Sequence, residues 1–388
     1  MATIGPMRRK TLRSVFHLTV LSGIVLLLFL NRPTSRVKTF PWTHIRYKSS
    51  SPIPPSRGKC PGLSKTTKPA LVVSRVTADG DPSWLDPLAR SYHLCIYTVD
   101  SPNPSASTLQ VPANRGHEAM AYLTFLIDNY ESIPAAGAVF VHGSRFAWHN
   151  DHPAYDNAAL LASLNIPAAL EPHGYHNLRC DWSVSTCAAS AAPQGSLENR
   201  VQSVLEPWSA RAASDTALPA ALGVLFGGDN REGYLAATLG RNDAVRSQCC
   251  AQFVVARENI WRHSRGEYVA LRQWLLDGMG AGSSRRRGAA PPDDRVAGRI
   301  LSYIWHILFI APEHRGTGTG TGTGLGTGDG VDLGRLNEQA CPKADECYCR
   351  LYGRCDLRCT SPGSCQGAYT LPKDLKLPAN WGETHLTS

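Results

Sequence analysis

One stretch constrains this chain more than any other: Asn114–Asp151, NRGHEAMAYLTFLIDNYESIPAAGAVFVHGSRFAWHND. Its first half sets Ala119, Tyr122, Leu123, Leu126, Ile127 and Tyr130 at three- and four-residue spacing, which lines one face of a helix with apolar groups. Asn114 is a good N-cap, and Glu118 falls in the first turn, where the helix dipole favours a carboxylate. Pro134 and Gly137 break the helix before Ala138–Val141, a short apolar run that reads as a buried strand. Two similar runs come earlier, Ala70–Val76 and Ser91–Val99. Strands alternating with a helix of this length predict an α/β fold, with a single mixed, largely parallel sheet flanked by helices.

Further elements follow with weaker signals. Ala158–Leu164 suits a short helix, and Ala251–Val255 suits a strand leading into a helix near Glu258. Tyr268–Leu276 and the strongly apolar Val296–Ile310 read as helices, the latter as one final helix. Glu171–Trp182 is irregular, aromatic and polar, more loop than element. Ala188–Ala221 has weak helical character. The Gly-Thr repeat within Gly316–Gly330 has no side chains with which to build a core, so it reads as a surface loop.

The amino terminus sets the compartment. Arg8, Arg9, Lys10 and Arg13 precede an uncharged run, Ser14–Leu30, which as a helix spans roughly 25 Å, enough for a thin membrane. The residues after it, Asn31-Arg32-Pro33, offer no small-residue cleavage site, so a signal anchor fits better than a cleaved signal peptide. Ser51-Pro-Ile-Pro-Pro and its surroundings read as a stiff stem. Twelve cysteines, half of them in the last fifty residues, point to an oxidising compartment. The expected plan is therefore a cytosolic tail at 1–13, an anchor at 14–30 and a stem at 31–69. An α/β lumenal body follows at 70–312, with a disordered insert near 278–294. A Gly-Thr loop at 313–334 and a cysteine-rich tail at 335–388 complete it. That makes a single-pass protein with a cytosolic amino terminus and a lumenal (Golgi or ER) or extracellular body, with the lipid bilayer as the partner expected through its one transmembrane helix.

The net charge of +9 could suggest nucleic acid, but no basic helix is interleaved with aromatic residues, so nucleic acid is not expected as a partner. The six tail cysteines include no C-x-x-C pair, which favours a disulfide knot over zinc, and six cysteines allow fifteen pairings. Cys180 and Cys187 are spaced to close a small loop. Cys249 and Cys250 are adjacent and are expected to pair elsewhere or stay buried.

Six ordered blocks carry a resemblance. RGHEAMAYLTFLIDNY, FAWHNDHPAYDN, GYHNLRCDW, CCAQFVVARENI, ILSYIWHILF and CPKADECYCRLYGRC resemble the fungal domain-of-unknown-function family 3431, over roughly Leu71–Cys365. Where that family's helix begins Gly-Arg-Glu, this chain has Gly116-His117-Glu118. A fold-level likeness also runs to the GT-A glycosyltransferases, which open on an LVVSR-like strand and are built as anchor, stem and lumenal body. That likeness implies a metal- or nucleotide-contacting acidic motif after a later strand. No Asp-x-Asp follows the strand ending at Val141; Trp148-His149-Asn150-Asp151-His152 stands there instead.

Sugar-nucleotide transfer needs a group to neutralise the departing diphosphate and a carboxylate base. Asp151 and Glu258 are the candidate catalytic residues, with Glu258 on the acceptor side. His142, His149 and Asp151, with His152 beside them, could ligate a divalent metal such as Mn, or could be a hydrogen-bonded loop cluster. Arg75 and Asp79 follow the first strand, where an open α/β sheet presents its ligand crevice, or they form a solvated turn. Arg115 and Glu118 stand at a helix amino terminus, either as an anion site or as a cap. Arg145, Trp148 and Arg257 complete the candidate substrate contacts. His306, alone on an apolar helix, reads as a core residue. The resulting expectation is a glycosyltransferase-like protein using a sugar nucleotide and a glycan acceptor. A non-catalytic carbohydrate-binding protein and a metal-dependent hydrolase are the alternatives.

Overall fold

Alternation of side chains along three strands decides the architecture. Ala70, Val72, Ala138, Phe140, Phe253 and Val255 pack into one core, whereas Leu71, Val73, Val139, Val141 and Val254 pack into another on the opposite face. A sheet apolar on both faces must be covered on both, and helices do so here, giving three layers. The computed structural model describes residues 9–30, 38–101, 109–280, 286–310 and 330–371.

The strands are β1 (Thr39–Phe40), β2 (Ala70–Arg75), β3 (His93–Thr98), β4 (Ala138–His142), β5 (Tyr175–Asn177), β6 (Phe253–Val255), β7 (Val331–Asp332), β8 (Arg358–Ser361) and β9 (Ser364–Gln366). The central sheet has the order β3-β2-β4-β6-β5. β2 runs parallel to β3 and to β4, but β6 is antiparallel to both β4 and β5. The sheet is therefore mixed, with β6 alone reversed.

α1 (Arg9–Leu30) is the apolar amino-terminal helix. Its segment Thr11–Phe29 is long and apolar enough to cross a membrane, and none of it is buried. α2 (Glu118–Asp128), α9 (Arg265–Asp277), α10 (Asp294–Ser302) and α11 (Trp305–Phe309) cover one face of the sheet. α3 (Asn157–Ser163), α4 (Ile166–Leu170) and α13 (Ala344–Tyr352) cover the other, with a 3-10 turn at Pro82–Arg90. α5 (Leu197–Leu205), α6 (Ala210–Gly227), α7 (Arg231–Ala237), α8 (Arg257–Ile260) and α12 (Leu333–Ala340) complete the body.

Several expectations change. The stem is shorter than 31–69. From Lys38 onward the chain is built into the body: β1 pairs with β7, and Trp42 is fully buried, with its indole donating to the Ala237 carbonyl at 2.8 Å. Ile45 N donates to Glu267 Oε1 at 2.9 Å, and Cys60 is bonded to Cys95. The insert near 278–294 narrows likewise. Residues 281–285 lie outside the described residues, but Ala290 is buried and its amide donates to Trp274 O. Most of the Gly-Thr stretch, 311–329, is also outside them, while Val331 and Leu333 are buried.

α2 begins at Glu118 rather than after Asn114. The Asp294 carboxylate accepts from Gly116 N at 2.6 Å and from Arg115 Nη1 at 3.1 Å, holding Gly116 and His117 at positive φ. A tertiary partner thus overrides the local cap. Val296–Ile310 is two helices, because Tyr303 N and Ile304 N bond back to Ile300 and Leu301 and close α10. Glu171–Trp182 contains β5, an edge strand recruited by β6. Ala188–Ala221 hides the 18-residue α6, which continues to Gly227.

The cysteines pair differently from the expected small loop. Cys180 bonds to Cys347 and Cys187 to Cys341, so the carboxyl-terminal segment is fastened across the body. α13 buries Cys347, Tyr348 and Leu351 in the second core, which makes it a layer of the fold rather than a tail. Cys349–Cys355 and Cys359–Cys365 close local loops. Cys249 and Cys250 bond to each other, in a segment where Cys250 and Ala251 both adopt positive φ.

Two predictions follow from the segment joining anchor to body. Trp42→Ala should cost about 3–5 kcal/mol in a denaturant titration of the full chain, as for a large core aromatic; a free stem would lose nothing. Glu267 gives a pH dependence. Burial alone would raise its pKa, but hydrogen bonds from His263, Ser264 N and Ile45 N outweigh burial and hold it down at about 2. A folded pKa below the unfolded one adds stability that is present above pH 4.5 and is lost as pH falls through about 2. Glu267→Gln should flatten unfolding free energy against pH in that window.

Candidate functional site

In an open α/β sheet the crevice lies beyond the carboxyl ends of the strands. Here that edge carries Arg75 at the end of β2 and His142 at the end of β4. Because β6 is reversed, with Ala138 opposite Val255 and Phe140 opposite Phe253, the loop before β6 arrives at the same edge. A cavity of about 390 Å³ opens there. It is lined by Glu118, His142, Trp148, His149, Arg295 and Arg299, with His117, Tyr303, Gln248 and the Cys249–Cys250 pair among the other residues of its wall.

The loop after β4 is held by side-chain amides. Asn150 Nδ2 donates to the Arg145 and Tyr155 carbonyls at 2.9 and 3.1 Å. Gln252 Nε2 donates to Asn150 Oδ1, and Gln252 Oε1 accepts from His142 N and Asn157 Nδ2. These buried amides bond to one another and fix the loop against the sheet. Buried Arg179 adds a brace, donating to the His149 carbonyl at 2.9 Å with its guanidinium 5.9 Å from the Trp148 ring. Trp148 is left 45% exposed at the cleft.

His142 Nε2 lies 2.6 Å from the Cys250 carbonyl, so that nitrogen donates. The His142 and His149 rings meet edge to face, 4.7 Å between centroids. Burial pushes the His149 imidazole well below the usual histidine range, with His142 and Arg179 pushing the same way, so it is neutral at pH 7. His149 Nε2 has no hydrogen-bond partner among the described residues.

The facing wall is α10. Arg295 and Arg299, four residues apart, share its cleft face with Ser302. Gly298 permits the approach: a Cβ there would meet His117 Cδ2 at 2.7 Å and the Gly116 carbonyl carbon at 3.1 Å. Arg115, buried and bonded to Asp294 and to the Pro291 and Pro292 carbonyls, clamps the two elements. Burial keeps the Tyr303 phenol protonated, and it donates to Asp215 at 2.6 Å while accepting from Arg299 at 3.3 Å.

Of the sequence-derived candidates, Glu118, His142, Trp148 and His149 converge on this cleft. Asp151 does not line it. Asp151 is 2% exposed and accepts from Cys180 N at 2.5 Å, Asp181 N, Tyr348 OH at 2.7 Å and Tyr369 OH. That donor set occupies the carboxylate, so Asp151 anchors α13 to the loop rather than joining the two imidazoles. His152 accepts from Ala154 N in its own turn. Glu258 leaves β6 at the opposite end of the sheet from His142, where it is exposed and pairs with Arg257 at 3.2 Å. Arg257 packs over Trp261 there. Arg75 donates to Gly80 O, and Asp79 accepts from Val76 N and Ser144 Oγ, which knits β2 to the β4 loop without lining the cleft. Arg145 is bound to Asp156 at 2.9 Å, and Arg115 is structural. His306 is a buried core residue, although neither ring nitrogen has a partner among the described residues; burial pushes its pKa down to about 3.

The sequence reading missed Arg295, Arg299, Tyr303 and Gln248. The paired arginines were visible as an i, i+4 repeat at the head of an apolar run, but nothing linked that run to Glu118. Cys60, His93 and Cys95 form a group with metal-ligand spacing among the described residues, yet the two sulfurs are spent in a disulfide and His93 Nε2 bonds to Pro61 O.

Fold and cleft define a disulfide-bonded α/β protein with one amino-terminal helix compatible with a single membrane pass. The chain belongs to the family described as Protein of unknown function (DUF3431), whose model matches residues 71–350. No curated protein and no solved structure matches it.

Asp151→Asn should lower stability by about 1–3 kcal/mol, the cost of disturbing a satisfied buried acceptor. Denaturant unfolding of the full chain measures this, and Glu118→Gln should leave the midpoint unchanged.

Proposed function

We propose that the protein is a single-pass secretory-pathway enzyme, amino terminus in the cytosol and body in the lumen, that transfers a sugar from a sugar nucleotide. The observation that carries this reading is the lining of the cleft. One carboxylate, two arginines, three imidazoles and a half-exposed indole line a space of about 390 Å³. Arg295 and Arg299 suit a diphosphate, since guanidinium groups pair with phosphate oxygens in two directions and stay charged. Trp148 offers a flat apolar face for the C–H side of a sugar ring. Glu118 is the carboxylate in the cleft able to take the proton of an acceptor hydroxyl. The base role thus moves from Glu258 to Glu118. His149 Nε2 and His142 Nδ1 are the groups that would hold a divalent cation such as Mn, which would supply further charge neutralisation at the diphosphate.

The test is calorimetric titration of the full chain in detergent micelles with UDP- and GDP-sugars, with and without manganese, followed by turnover assays with glycan acceptors. Arg299→Ala should weaken nucleotide binding by roughly ten- to a hundredfold, the loss of one or two charged hydrogen bonds. Glu118→Gln should keep binding and remove turnover. Neither binding nor turnover with any donor would sink the reading; binding that Glu118→Gln leaves intact, with no turnover in the wild type, would leave a carbohydrate-binding protein.

A further inference from the structure

Helix α5 turns its apolar side away from the body. Leu197, Val201, Val204 and Leu205 recur at three- and four-residue spacing, and Trp208 follows just beyond the helix. At about 100° per residue the four helical positions fall within roughly a third of the circumference. All five side chains are between 39% and 79% exposed. The opposite side of the helix carries Asn199, which is buried and bonded to Pro193 O, while its own carbonyl accepts from Thr216. The stripe is therefore not a core face turned the wrong way.

The occupant follows from where the chain enters the body. α1 ends at Leu30 and the described body begins at Lys38. The seven residues between them can reach at most roughly 25 Å by covalent geometry. A membrane holding α1 therefore lies close to Lys38. Lys38 is paired with Asp243 at 2.7 Å, and two residues later Val245 is bonded through both N and O to the Gln194 side chain, just before the α5 cap at Ser196. A further exposed leucine, Leu235, lies two residues from Ala237, the acceptor of the Trp42 indole. The amino-terminal end of α5 is thus tied to the entry point through Gln194, Val245 and Asp243. Trp208, with its large apolar ring and one N–H, is the side-chain type that settles at a bilayer–water boundary.

We propose that α5 and Trp208 rest in the outer layer of the bilayer that holds α1, as a second membrane contact of the body. Ala210, two residues beyond Trp208, also lines the cleft. The contact therefore sets the cleft mouth at headgroup level and makes a lipid-borne acceptor the substrate class; this last step rests on the carbohydrate reading, whereas the membrane contact does not.

α1 contains no tryptophan, so quenching of indole fluorescence by brominated acyl chains reports on the body alone. The full chain is reconstituted in phosphatidylcholine vesicles with and without bromine on the acyl chains. Bromine should lower the emission, and Trp208→Phe should cut that drop by at least half. Val204→Glu with Leu205→Glu, both at exposed positions, should do the same with an unchanged far-ultraviolet spectrum. No quenching in the wild type, or equal quenching in Trp208→Phe, overturns the proposal. So does energy transfer between differently labelled copies that depends on Val204 and Leu205, which would make the stripe a self-association face. The measurement needs no sugar, so its failure is separate from failure of the carbohydrate reading.

Discussion

The reversal of β6 against β4 is the constraint on which the site depends. Had β6 run with the other strands, its following helix would have carried Arg257 and Glu258 to the carboxyl edge of the sheet, as the sequence order suggested. Antiparallel pairing, with Ala138 opposite Val255, sends them to the far edge and brings Gln248, Cys249 and Cys250 beside His142. The bond from His142 to the Cys250 carbonyl and the one from its amide to Gln252 then tie strand and loop together. One pairing direction thus exchanges one set of candidate residues for another.

A second contact depends on the absence of a side chain. α10 reaches the start of α2 only because Gly298 leaves room for His117 and Gly116, and Asp294 secures the approach through Arg115 and the Gly116 amide. This close fit brings Arg295 and Arg299 opposite Glu118. Arg295 also pairs with Asp293 at 3.0 Å, and the cleft presents charges of both signs to a ligand carrying both kinds of group. The buried Asp151 shows the converse. Four donors satisfy it, and its work is to hold α13 and the β4 loop in register.

The body also needs both ends of its chain. Trp42 fills a core site on one face and Tyr348 on the other, and the Cys180–Cys347 and Cys187–Cys341 bonds lock the carboxyl-terminal helix in place. Links of this kind raise stability mainly by restricting the unfolded chain, more so for long loops. The family match at 71–350 therefore covers less than the folding unit, which starts by Lys38.

Periodicity and composition determined the strands at Ala70, Ser91 and Ala138, the helix between the last two, the apolar amino-terminal helix and the oxidised state of the cysteines. These are local properties: burial on a given face repeats with the period of the backbone, and composition reflects solvent and redox surroundings. Four residues of the cleft, Glu118, His142, Trp148 and His149, were legible because they flank those strong elements. Arg295, Arg299, Gln248 and the Cys249–Cys250 bond were not, and neither were the burial of Asp151, the remoteness of Glu258 and the packing of Trp42. Each of these depends on which distant segment arrives at a given edge and in which direction. Strand polarity, a missing Cβ at Gly298 and pairings across more than a hundred residues settle that, and no local pattern records them.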